Sequence, residues 1–277
     1  MQNKLSPGQH YGKVRMQCSV PGFRLLEVVH PGGIKLPKHA HESAFFTVVL
    51  HGAMIENFAT RAMESSAGMV CFNAAHEEHS NIVAPAGTRS LILEVETELT
   101  ERALRRSPSF VQSAVFNGGE VNCLGTKLIR EWVQFDDVSP LAIEGLGLEL
   151  IAARCRTARA WKLKRPDWLQ RALDIIHARF TEAISVSYIA GEVGVHRVHL
   201  ARSFRQHYHS SIADYVRNLR IESVQSHLCS TNLPLAEVAA RAGFYDQAHM
   251  TRLFKRATGL TPAKYRALWR LRAEQEL

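Results

Sequence analysis

Two groups of side chains have types and spacings that can do chemistry together. The first is three histidines, His39 and His41 with one residue between them and His79 further on. Three imidazoles can hold Zn or Fe and leave one position open. They can equally line a metal-free ligand pocket or cap strand ends. The second group is basic and polar, and it is written twice. Arg197, Val198 and Arg202 lie in H-R-V-H-L-A-R, and Gln247, Thr251 and Arg252 lie in D-Q-A-H-M-T-R. Arginine grips guanine O6 and N7 with two hydrogen bonds, glutamine does the same for adenine, and valine packs on a thymine methyl. One group points to ion or ligand binding, the other to reading base edges.

The second group needs a scaffold, and the sequence supplies it in duplicate. Residues 189–205 and 238–255 each carry a small residue (Ala190, Ala239), a glycine four positions later (Gly194, Gly243) and then a basic amphipathic segment. That is the sequence form of a helix-turn-helix, in which alanine lets two helices approach and glycine permits the tight turn. Downstream, His199, Arg202, Phe204, Ala213 and Tyr215 align with His249, Arg252, Phe254, Ala263 and Tyr265 without a gap. The second turn is one residue longer. Each second helix is expected in a major groove with its N-terminal half toward the bases. Arg205, Arg217, Lys255 and Lys264 then fall where phosphate contacts are expected, and His199 and His249 where packing is. Charge agrees: residues 162–277 hold 18 Lys+Arg against 10 Asp+Glu, while residues 1–161 hold 16 of each, so the whole net charge of +8 sits in the half with the repeat. Such an excess favours a polyanionic partner.

The first group needs a different scaffold. Over residues 11–97, short apolar runs such as Phe23–Val29, Phe45–Leu50, Gly68–Phe72 and Leu91–Val95 alternate with Gly/Pro/Asn turns, the pattern of a sandwich or small barrel. Apolar residues at helical spacing follow over 120–133 and after Ser139-Pro140, a good N-cap and first-turn proline. The apolar residues there exceed what one stripe needs, so this region is expected to form a dimer interface. Residues 155–166, basic and ending in proline, are expected as a linker, with Trp161 pinning it.

Gly33-x5-His39-x-His41, with Gly52 further on, resembles the first motif of cupin barrels, and Gly68-x10-His79 resembles part of the second. Cupins hold a metal with two histidines of the first motif, one of the second and a glutamate between. His39, His41 and His79 match the histidines, but the glutamate's place falls at Phe45 or Phe46. The proline-glycine pair of the second motif is replaced around Ala74 and His76. With that glutamate missing, the expectation is a metal-free effector pocket lined by His39, His41, Phe46 and His79; Glu42 or Glu78 would be the fourth ligand if a metal were held.

Residues 166–270 resemble the C-terminal DNA-binding domain of AraC/XylS-type transcription regulators. The signature-like run is Leu235-A-E-V-A-A-R-A-G-F-Y-D-Q-A-H-M-T-R-L-F-K-R-A-T-G-L-T-P-A-K-Y-Arg266. Ser203 departs from the family, which has an apolar residue there, as Leu253 is in the second copy. The resemblance implies that Arg202 and Arg252 contact bases, that the N-terminal half is a metal-free sensor, and that RNA polymerase is a partner.

Composition excludes other classes. No run approaches eighteen apolar residues, so no membrane span is expected, and the start is polar. Five scattered cysteines, never in C-x-x-C, fit a reducing cytoplasm. The expected fold is α+β, with an N-terminal cupin-like β-barrel and dimerisation helices over 1–160 and an all-α domain with two helix-turn-helix units over 161–277. The expected function is a cytoplasmic, sequence-specific DNA-binding transcription regulator controlled by a small effector. It acts on double-stranded DNA as a homodimer, with no cofactor and no catalytic residue. The rival readings are a metal-dependent cupin enzyme fused to a DNA-binding domain, and a regulator without effector.

Overall fold

The computed structural model describes residues 3–116, 119–162, 166–208 and 210–267. Within them the chain is mixed α and β, a nine-stranded sheet followed by helices. It divides into two compact units, Met1–Asn117 with Leu124–Cys155, and Gly118–Cys123 with Arg156–Leu277.

The strands are β1 (Lys4–Leu5), β2 (Lys13–Val20), β3 (Phe23–His30), β4 (Lys35–His41), β5 (Ala44–Asn57), β6 (Ala62–Ser66), β7 (Val70–Asn73), β8 (His79–Val95) and β9 (Ala114–Phe116). The four apolar runs fall in β3, β5, β7 and β8. The sheet runs β1-β4-β8-β5-β7-β9, with β3 also on β8, β2 on β3 and β6 on β5. Long β8 serves two neighbours in turn. Its start pairs with β4, His39 opposite His79, and its end pairs with β3, Phe23 opposite Val95. Successive side chains of a strand point to opposite faces. On β5, Phe46 therefore turns away from Phe45, and it stacks on Phe72 with centroids 5.1 Å apart; Phe72 in turn lies 4.3 Å from Phe110.

Three helices follow: α1 (Thr97–Arg106), α2 (Gly119–Val133) and α3 (Ser139–Lys162). Buried Glu27 of β3 accepts from Arg89 Nε at 2.8 Å and from Trp132 Nε1 at 2.8 Å. A charge this deep persists only when paired and hydrogen-bonded. α3 crosses β3 at Gly147, where a Cβ would stand 2.6 Å from Phe23. The expected linker is in part regular structure, since α3 continues to Lys162. The Trp161 side chain, residues 163–165 and the tail beyond Trp269 lie outside the described residues.

The remaining helices are α4 (Asp167–Arg179), α5 (Val186–Glu192), α6 (Arg197–Tyr208), α7 (Ile212–Ser230), α8 (Leu235–Arg241) and α9 (Gln247–Thr258). Ser185, Ser211 and Asp246 cap α5, α7 and α9, each side chain accepting a backbone N–H of the first turn. Leu169, Ile176, Ile189, Ala190, Leu200 and Phe204 form a buried cluster with Tyr215 and Leu219. The sequence repeat is repeated in space. Phe204 meets Tyr215 edge-on at 5.4 Å and 81°, and Phe254 meets Tyr265 at 5.2 Å and 87°. Such edge-to-face pairs contribute about 0.5–1.5 kcal/mol beyond burial.

Candidate nucleic-acid interface and histidine cavity

α5 and α8 are each followed by a turn through a left-handed glycine, Gly194 (φ 73°) and Gly243 (φ 78°). The first turn delivers α6 at Arg197; the second, one residue longer, delivers α9 at Gln247. On α6, Leu200 and Phe204 face the core. Arg197, Val198, Ala201, Arg202 and Arg205 line an open groove with the first residues of α7, and Val198 is 61% exposed. On α9, Met250 and Phe254 are buried, Gln247 and Arg252 are exposed, and Thr251 is half-buried. The apolar face of each helix is spent on the core, so its polar face is the one free to meet a partner.

The remaining basic residues differ in their surroundings. Lys255 and Lys264 are exposed on α9 and shortly after it. Arg217 is exposed but pairs with Asp214 one turn back on α7. That pairing and the Ser211 hydroxyl hold the Asp214 carboxyl below its usual range, the serine bond first. Asp246, itself exposed, is the α9 cap: its Oδ1 accepts from His249 N at 2.6 Å. The His199 ring lies 5.1 Å from Trp168, and the His249 ring 5.7 Å from Phe244, as packing residues would. Ser203 is buried in the apolar position of the repeat. Sequence reasoning missed Tyr245, 94% exposed in the longer turn just ahead of α9.

The histidines converge in the sheet. His39 and His41 point the same way because they are two residues apart on β4, and His79 is the cross-strand partner of His39. Ring centroids lie 4.4 Å apart for His39–His79, 5.1 Å for His39–His41 and 5.7 Å for His41–His79. One ring nitrogen from each lies within 4.8 Å of the others. They line a cavity of about 50 Å³ with His10, Phe45, Glu56 and Asn81. His76, where the second cupin motif would have its glycine region, adopts φ 63°. Its backbone N–H donates to His41 O at 2.8 Å, which holds this turn against β4.

Burial sets the protonation. It pushes His39 down to about 4 and His41 down to about 2, and it lowers His79 as well. The imidazoles are therefore neutral near pH 7, with lone pairs available. Burial also raises Glu56 to about 7, although the Asn73 and Asn81 amides donate to its carboxylate at 3.1 and 3.2 Å.

Several sequence expectations for this cavity need correction. Phe46 does not line it; Phe45 does, because strand alternation turns Phe46 toward Phe72. Glu42 is exposed, and Glu78 pairs with Lys38 at 2.5 Å, so neither belongs to the cavity. His10 and Glu56 were not foreseen. His10 stacks 4.7 Å from His41 with its Nε2 2.9 Å from Glu94, yet in sequence it sits in a polar segment without periodicity. Glu56 reaches the cavity because β5 has register irregularities between Val49 and His51 and between Gly52 and Met54. These break the strict alternation by which its face could be counted.

A helix-turn-helix domain model matches residues 189–268. The bifunctional transcriptional activator/DNA repair enzyme AdaA of Bacillus subtilis (strain 168) is 25% identical over 116 residues, 41% of this chain and 55% of AdaA. This chain thus spans about half of that relative's length. The probable transcription factor PqrA of Proteus vulgaris is 31% identical over 99 residues, 36% of this chain and 77% of PqrA. Among solved structures, the C-terminal domain of AraT, a response regulator from Geobacillus stearothermophilus, has 28% identity and a TM-score of 0.36, covering 38% of this chain and 87% of that one. The matched residues are those that build α5 to α9 and their two glycine turns, and on that ground the chain belongs to the AraC/XylS family of transcription regulators.

Proposed function

We propose that this protein is a sequence-specific DNA-binding transcription regulator whose α6 and α9 enter two successive major-groove segments. Residues 161–277 are the DNA-binding domain, with α5–α6 and α8–α9 as its two helix-turn-helix units. Arg197, Val198 and Arg202 on α6, and Gln247, Thr251 and Arg252 on α9, read bases. Arg205, Arg217, Lys255 and Lys264 hold phosphates, Arg217 by exchanging Asp214 for DNA. The observation that carries this reading is the matched pair of exposed arginines at one position of two repeated helices.

Residues 1–160 act as a cupin-like sensor domain whose effector site is the cavity of His39, His41 and His79. A second copy of the chain docks on α3, where Leu141 and Leu148 are exposed. As an activator the dimer would present this assembly to RNA polymerase. Selection of DNA from a random pool by the full chain tests the reading. One enriched asymmetric site is expected; a pool that stays random after repeated rounds refutes it.

A further inference from the structure

The end of β8 lines a second cavity, distinct from the one the histidines line. It holds about 400 Å³, within the roughly 300–1,000 Å³ of sites for small organic ligands. Several pieces of the sheet half meet there. Arg24 of β3 is the cross-strand partner of Glu94 on β8. Ser43 precedes Ala44 of β5, which pairs with Val95 of β8. Glu96 comes next as the residue that opens α1, and its N–H donates to Gly22 O at 3.0 Å, just before Phe23.

This cavity offers donors that the fold leaves unused. Ser43 is 7% exposed and lines the cavity, yet among the described residues its hydroxyl has no hydrogen-bond partner. A polar group buried in this way is costly unless a ligand or water meets it. Arg24 reaches Glu94 only at 3.5 Å, while Glu94 already has Gly8 N at 2.9 Å and His10 Nε2 at 2.9 Å. The guanidinium therefore keeps donors to spare. α1 opens at the cavity without a side-chain cap, and the first N–H groups of a helix have no partner within it. Together these donors suit a carboxylate.

A bare anion does not suit the rest of the lining. Glu96 and Glu98 are exposed there, and with Glu94 they set three carboxylates against one guanidinium. Such a field repels a lone carboxylate and attracts an ammonium group. Phe23 and Val95 add apolar surface.

We propose that this cavity binds a free α-amino acid with an apolar side chain. Its carboxylate meets Ser43, Arg24 and the start of α1. Its ammonium group meets Glu96 and Glu98, and its side chain lies on Phe23 and Val95. A peptide carries its two terminal charges on different residues, so it does not present both to one lining. The site stands apart from the effector role given to the histidine cavity and adds a second ligand to the same half of the chain.

The first measurement is thermal melting of the full chain with each common L-amino acid in turn. One or more with an apolar side chain should raise Tm, and the polar ones should not. Calorimetric titration with that amino acid should saturate at one equivalent per chain. Its amide lacks the carboxylate and its deaminated acid lacks the ammonium group; each should bind weaker by roughly tenfold or more. Ser43→Ala, which removes only a hydroxyl, should weaken binding by roughly threefold or more. Glu96→Gln with Glu98→Gln alters only exposed side chains, so the fold is kept. That variant should weaken the amino acid and not the deaminated acid. An unmoved Tm across the whole panel, analogues that bind as tightly as the amino acid, or an affinity that both variants leave unaltered would overturn the site. None of these titrations contains DNA, so their outcome is separate from that of the DNA-binding reading.

Discussion

Arg202 and Arg252 stand at the same place on two helices: each is five residues past the first residue of its helix, Arg197 or Gln247, and two before a buried phenylalanine, Phe204 or Phe254. The core-facing phenylalanine fixes the rotation of the helix, and that rotation turns the arginine outward. If both arginines read bases, Arg202→Ala and Arg252→Ala should each weaken specific binding by roughly 1–3 kcal/mol and relax preference in one segment only. Arg205→Ala should weaken all sequences alike. Competition titrations on single-base variants of the selected site measure both effects.

DNA affinity should fall steeply with salt. The excess of 18 basic over 10 acidic residues lies wholly in residues 162–277. Each phosphate neutralised releases counterions, so the logarithm of affinity falls linearly with the logarithm of salt. A flat dependence in anisotropy titrations would remove the electrostatic part of the account.

The two turn glycines should respond differently to alanine. Both have positive φ, which disfavours any side chain by about 1–2 kcal/mol. At Gly194 an added Cβ meets nothing within 4 Å, so Gly194→Ala should lose little more than that. At Gly243 the Cβ would lie 2.3 Å from Thr181 O, backbone that cannot swing aside. Gly243→Ala should lower Tm clearly further than Gly194→Ala; equal losses would contradict the packing described at this turn.

Alkaline pH should weaken the helical unit through Glu222. Its carboxyl on α7 is pushed up to about 8 by burial, and its Oε2 has no hydrogen-bond partner. A carboxyl with its folded pKa above the unfolded one contributes stability that is full below the unfolded value and lost as pH rises through the folded value. The unfolded value is 4.5, so the loss spans the range from there to about 8. Glu222→Gln should remove that decline, seen as a flatter Tm–pH curve; a curve parallel to the wild type would refute it.

The apolar α3 surface should join two chains. Leu150 of α3 is wholly buried. The exposed residues are Leu141, at 74%, and Leu148. Leu141→Glu with Leu148→Glu should give a folded monomer in ultracentrifugation, whereas Leu150→Glu should unfold. A wild type already monomeric at micromolar concentration contradicts the interface.

The helical half was legible because its signals are local. Ala190, Gly194 and Phe204 recur as Ala239, Gly243 and Phe254 with near-constant spacing, and helix faces follow from that spacing. The sheet half was legible as strands but not as a site. The facing of Phe45 against Phe46 turns on one residue of register, and the place of Glu56 depends on bulges that no alternation rule reveals. His10 comes from a distant segment and joins the cavity only through tertiary folding. That the stretch 155–166 begins as helix was not legible, because basic composition marks a solvated surface whether or not the backbone is helical.

Footprinting of the full chain on its selected DNA tests the central claim most directly. Two protected major-groove segments are expected on one face of the duplex, one turn or about 34 Å apart, with different sequences in each. Arg252→Ala should lose protection in one segment and Arg202→Ala in the other. A palindromic site read once per chain, or equal loss in both segments from Arg252→Ala alone, would contradict it.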